Sequence, residues 1–142
     1  MNAVALWKRK AILLCSPDDY RRSVEIENLL RGSSLLGASS LALGWNGVVV
    51  ERHRVAMGEK PEKASDYHFI ALWDIYSCHG ERADLHGRFI PYSKRPGAIS
   101  MYPAGIIPAQ RILTKSEVVV CAADPLLINE IKKTLTGAKP SH

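Results

Sequence analysis

Residues 97 to 105 read GAISMYPAG, with Gly97, Pro103 and Gly105 at the spacing G-x5-P-x-G. Physically this is a short strand that ends in a sharp turn. The two glycines allow a positive φ or a close backbone approach, and Pro103 presets the turn. Working outward, the chain keeps the same texture on both sides. Downstream, PAQRILTKSEVVVCAA reads as a hairpin folded at Thr114, Lys115 and Ser116. Upstream, ERADLHGRFIPY reads as two strands turning at His86 and Gly87, and YHFIALWDIY as a strand apolar on both faces except at His68 and Asp74. A strand of that kind suits a barrel wall covered outside by a helix or a partner subunit. WNGVVVERHRVAM, from Trp45, is the first strand, and a charged loop with Pro61 follows it. Short β runs separated by closely spaced turn residues argue for a barrel or sandwich rather than alternating βα units.

Helices are expected at both ends. Ser16, Pro17, Asp18 and Asp19 offer a capping hydroxyl, a proline for the first helical position and acids for the positive end of the dipole. The helix should run from about Pro17 to Arg31 and stop at Gly32, with GSSLLGASSLALG as a connector or a short extra turn. Asp124 and Pro125 cap a second helix, PLLINEIKKTL, and TGAKPSH reads as an unstructured tail. The expected organisation is therefore residues 1-44 as N-terminal helix and connector, 45-123 as barrel, and 124-142 as C-terminal helix and tail.

The chain has 142 residues, 46% hydrophobic and 23% charged, which is the composition of one ordinary globular domain. Its net charge of +5 is spread over scattered basic pairs with acids between them, more a solvated surface than a nucleic-acid patch. Three widely spaced cysteines form no disulfide framework and fit a reducing cytoplasm. The basic start, Lys8 to Lys10, and the apolar Ala11 to Leu14 before Cys15 mimic a lipoprotein signal. That apolar run is shorter than the roughly 7 to 15 residues such a signal needs, and Leu14 stands where a small residue belongs. No run approaches the roughly 18 apolar residues of a membrane span, so no membrane partner is expected.

GAISMYPAG resembles the second motif of the cupin superfamily of small β-barrels. In the metal-binding members a histidine follows three residues after the last glycine and an asparagine four further on; here those positions hold Pro108 and Ile112. The H-x-H pair and glutamate of the first cupin motif are also missing, and a metal site needs about three converging protein ligands. No metal, no cofactor and no catalytic residue is therefore expected. The blocks LLGASSLALGWNGVVVERHRV, YHFIALWDI, GRFIPYSKRPGAISMYPAG and EVVVCAADPLLINEI, in that order, resemble the N-terminal cupin-like sensor domain of AraC-family transcription regulators. The resemblance covers about Leu30 to Leu135. It implies a mainly β, cupin-like (jelly-roll type) barrel with an N-terminal and a C-terminal helix, which binds a small effector and forms a homodimer. DNA would be read only by a separate helix-turn-helix domain, which these residues do not include. Two other readings compete: a cupin-fold isomerase, lyase or dioxygenase with an unusual site, and a reader-less modulator that forms mixed dimers with another regulator.

Ligand-binding candidates are the polar groups on strands. His68 shares a face with Ile70 and Leu72 and so is a candidate for the barrel interior; a hydrogen-bonded core histidine is the plainer reading. His53 shares a face with Glu51, as a pocket wall or a surface pair. Arg111 has a planar fork suited to a carboxylate or phosphate, or to an ion pair with Glu51 or Glu117. Tyr102 offers a ring and a hydroxyl, or ordinary core packing. Trp45 and Trp73 read as core or interface anchors. Cys78 and His79 suggest a thiol nucleophile, but adjacent side chains in an extended segment point to opposite faces, and a loop cysteine without function is the plainer reading. In the final helix Leu126, Leu127, Glu130 and Ile131 are the dimer-interface candidates.

Overall fold

The computed structural model describes residues 15–37 and 39–137. The signal-like stretch before Cys15 and the last five residues of the tail lie outside them. Helix α1 spans Pro17–Leu29, capped by the Ser16 side chain, which accepts from the Asp19 N–H, with Pro17 in the first turn. It ends two residues before the expected Arg31, and Gly32 turns the chain away at φ +81°. The connector holds strand β1 (Ser34–Leu35) and a 3-10 turn, Ser40–Leu43.

Ten further strands follow: β2 (Val48–Val55), β3 (Gly58–Lys60), β4 (Lys63–Ser65), β5 (His68–Trp73), β6 (Cys78–Ala83), β7 (Phe89–Lys94), β8 (Ala98–Tyr102), β9 (Gly105–Ile107), β10 (Gln110–Ile112) and β11 (Ser116–Ala123). Helix α2, Pro125–Leu135, closes the order, with Asp124 as its N-cap. Five strands form one sheet in the order β1-β2-β11-β5-β8, and four form a second in the order β3-β10-β6-β7. All pairs are antiparallel, and β4 pairs with β9 where β3 and β10 leave off. The result is a mainly β, cupin-like jelly-roll barrel with a helix at each end.

Both glycines of GAISMYPAG lie in the left-handed region, Gly97 at φ +91° and Gly105 at φ +127°. The expected hairpin at Thr114 to Ser116 is a turn of another kind. Its arms, β10 and β11, belong to different sheets, so the chain crosses the barrel there instead of pairing with itself. Trp45 precedes the first long strand by three residues and is exposed.

The core lies between the sheets. Val49 and Val55 of β2, Phe69 and Trp73 of β5, and Val118 and Val120 of β11 are nearly all fully buried. Helix α1 completes it by laying Ile26, also fully buried, against β2 and β11. The wall formed by β3/β4 and β9/β10 is broken at one level. Pro61 and Glu62 interrupt one strand, Pro108 and Ala109 the other, because proline has no N–H for the ladder. No helix among the described residues is long and apolar enough to cross a membrane.

Candidate ligand site inside the barrel

A small cavity sits between the sheets, with about 30 Å³ open to water centres. Val55, Ile112, Val118 and Val120 give it apolar walls, and Leu29 and Leu30 at the end of α1 close one side. Its polar lining is Lys60, Gln110 and Tyr102. Lys60 and Gln110 are direct cross-strand partners on β3 and β10, and each is only 9% exposed.

Gln110 is the hub of a hydrogen-bonded group. Its Oε1 accepts from the Tyr92 hydroxyl at 3.1 Å. Burial pushes the Tyr102 hydroxyl up, and hydrogen bonding to Gln110 and Ser100 pulls it partly back. Ser100 Oγ in turn accepts from Trp73 Nε1–H at 3.3 Å. Burial also pushes the Tyr92 hydroxyl well above its ordinary value, so both phenols keep their protons at neutral pH.

Lys60 is the exceptional member. Its Nζ donates to the main-chain carbonyl of Arg31, and among the described residues no carboxylate pairs with it. Burial pushes its ammonium down, and the positive charge of Arg31 adds to that. The donor set does not fit a metal ion. An ammonium has no lone pair to give, the phenols are protonated, and Pro108 and Ile112 offer no ligand atoms. Among the described residues no three His, Cys, Asp or Glu side chains are grouped to hold one.

Of the residues expected from sequence to bind a ligand, the cavity takes in Tyr102. His53 and Glu51 do share a face, the inner one, but beneath α1 and away from the cavity lining. There Ser23 Oγ donates to Glu51 Oε2 at 2.6 Å, His53 Nε2 lies 3.0 Å from Glu51 Oε1, and its Nδ1 lies 3.0 Å from Ser33 Oγ. His68 does not point inward. The buried residues of β5 are Phe69, Ala71 and Trp73, so His68 stands on the outer face with Ile70 and Leu72, and its Nδ1 accepts the Ala104 N–H at 2.9 Å. Arg111 also faces outward. It stacks 3.7 Å from the Phe89 ring centroid and pairs with Glu59 and Glu81 instead of Glu51 or Glu117. Cys78 begins a strand rather than a loop; it is fully buried, with His79 exposed on the opposite face.

Lys60 and Gln110 escaped the sequence reading. Lys60 lies in a charged, proline-containing stretch that reads as loop, and only its pairing with β10 turns it inward. The nearest local clue is that each stands within two residues of a proline, at the matched breaks of Pro61 and Pro108.

No protein-family model matches the chain, and no curated protein matches it. Solved structures similar to it include the oxalate decarboxylase of Lactobacillus farciminis in a formate complex, with 12% identity and a TM-score of 0.48 over 66% of this chain and 28% of that one. Another is an oxalate oxidase in complex with glycolate, with 16% identity and a TM-score of 0.47 over 66% and 51%. An RmlC-like cupin from Shewanella frigidimarina matches with 11% identity and a TM-score of 0.44 over 64% and 73%. The chain spans well under two thirds of the oxalate enzymes. The strand order of its own two sheets is what makes its fold cupin-like.

Proposed function

We propose that this chain is the effector-sensing and dimerisation part of an AraC-type transcription regulator, with a small molecule bound in a metal-free barrel. The observation that carries the reading is helix α2. It is well capped and begins directly after β11, yet none of its residues is buried. Leu126 is 72% exposed, Leu135 80% and Ile131 45%. Ile131 and Leu135, one turn apart, leave the C-terminal part of the helix's apolar face in water, and a second copy of the same helix supplies a surface to cover it. The polar residues around Lys60 and Gln110 support the sensing half, since a ligand pocket is mostly apolar with a few polar groups that fix orientation. DNA contact belongs, in this reading, to a helix-turn-helix domain separate from these residues. An enzymatic role has only the barrel itself behind it, and a fold alone does not imply a chemistry.

Sedimentation velocity over the micromolar range tests the dimer. The wild-type chain is expected to sediment as a dimer. The double variant Leu126→Lys, Ile131→Lys should be a monomer with an unchanged far-ultraviolet dichroism spectrum, because both sites are exposed. A wild-type chain that stays monomeric across that range would remove the basis for this reading.

A further inference from the structure

The barrel holds a buried positive charge that has no counter-ion among the described residues. Lys60 is 9% exposed and among the described residues makes a single hydrogen bond, to the Arg31 carbonyl, which leaves two ammonium protons without a described acceptor. Buried charges are ordinarily paired, because removing an ion from water is costly unless something of opposite sign replaces the water. The same side chain lies between two small spaces. The inner one is the cavity already described. The second, also of about 30 Å³, is lined by Asn28, Pro61, Lys63 and Pro108, and it sits at the break in the wall where both strands are interrupted. Leu29, Lys60 and Gln110 line both spaces. These three side chains thus form the partition between the break in the wall and the apolar interior.

We propose that the two spaces together form a site for a short-chain carboxylate, whose carboxylate group meets the Lys60 ammonium and the Gln110 amide while its alkyl end enters the apolar inner space. Each space is about what one water occupies in the liquid, which limits the tail to about one or two carbons, as in acetate and propionate. The valine walls favour an alkyl tail over a hydroxylated one. A phosphate or sulfate would carry more charge and no apolar part, so the inner space would go unused. The proposal rests on the reading of the barrel as a sensor and names the class of its effector.

Thermal unfolding at neutral pH and constant ionic strength tests it, with acetate, propionate and butyrate compared with chloride and with acetamide and propionamide. At a concentration a hundredfold above Kd, the favoured carboxylate should raise Tm by roughly 5–10 °C. The amides and chloride should leave it unchanged. Lys60→Met should fold with a Tm equal to or above the wild type, since an unpaired buried charge is gone, and should lose the carboxylate shift. Amides as effective as the acids, a shift that survives in Lys60→Met, or no shift with any of the acids would each overturn the proposal. If Lys60→Met fails to fold, the acid and amide comparison on the wild-type chain decides alone. Sedimentation of the same samples separates this inference from the regulator reading. A dimer indifferent to carboxylates sinks only the ligand class, whereas a carboxylate-responsive monomer sinks only the regulator.

Discussion

Gly80 shows how tightly one position is held. It faces Tyr92 across the β6–β7 ladder, and a Cβ there would lie 2.6 Å from the Arg111 carbonyl oxygen and 2.7 Å from the Tyr92 hydroxyl. Gly80→Ala is expected to cost about 1–3 kcal/mol, because neither the backbone nor a ring hydrogen-bonded to Gln110 can withdraw freely. A urea titration measures it. Phe69, fully buried at the centre of β5, sets the upper end of the scale: Phe69→Ala should cost about 3–5 kcal/mol in the same assay. The pattern of that strand also accounts for the outward stance of His68. Because β5 is apolar on both faces, nothing in its sequence says which alternate set turns inward, and a shift of one residue exchanges His68 for Phe69. Arg111, beside the buried Gln110 and Ile112, carries the same ambiguity in a strand of only three residues. Tyr102, which ends a strand bounded by Gly97 and Gly105, lines the cavity.

Among the elements, the helices were legible and the sheets only partly so. Helix boundaries depend on local caps: Ser16 and Pro17 at one end of the chain, Asp124 and Pro125 at the other. Whether β10 and β11 pair with each other or join opposite sheets depends on contacts far apart in sequence, which no local signal records. The two helices are joined by a feature that spans 102 residues. Arg22, 5% exposed, donates to Asp19 Oδ1 at 2.6 Å and to Asp124 Oδ2 at 3.1 Å, and its guanidinium lies 5.1 Å from the Tyr67 ring centroid. Asp19 Oδ1 also accepts the Gly47 N–H, while the Asp124 N–H donates to the Gly47 carbonyl. Removing one partner from a buried pair leaves the other uncompensated, so Arg22→Met should destabilise by roughly 3 kcal/mol. Asp124→Ala should cost about 1–2 kcal/mol, since it removes the N-cap and the part-exposed pair with Arg22, which keeps Asp19, and the loss should appear as faster amide exchange in α2 with β11 little changed.

For the whole molecule, burial sets how stability responds to alkali. It raises the thiols of Cys78 and Cys121 above 9.0 and the phenols of Tyr92 and Tyr102 above 10.0. In each case the unfolded chain releases its proton first, so stability is fully present below the unfolded values and falls as pH rises through 9 and then 10. Lys60 acts in the opposite direction. Its folded pKa is lowered from 10.5, so the unfolded chain holds the extra proton and stability rises with pH between the folded value and 10.5. Urea midpoints measured across neutral to alkaline pH should therefore decline above about pH 9. The decline above 10 should be shallower in Tyr92→Phe, and in Lys60→Met it should be steeper than in the wild type.

Helix α1 touches two places that the rest of the chain keeps apart. Its Leu29 flanks the interior space, while Arg22, two turns earlier, grips the root of α2. Thirteen residues of continuous helix transmit displacement far better than a loop does. If the proposed effector displaces Leu29, the movement would pass along α1 to Arg22 and so to the start of α2. In the sensor reading, α1 is thus the lever between the valine-walled space and the last helix, with Leu29 on its short arm and Arg22 at the load.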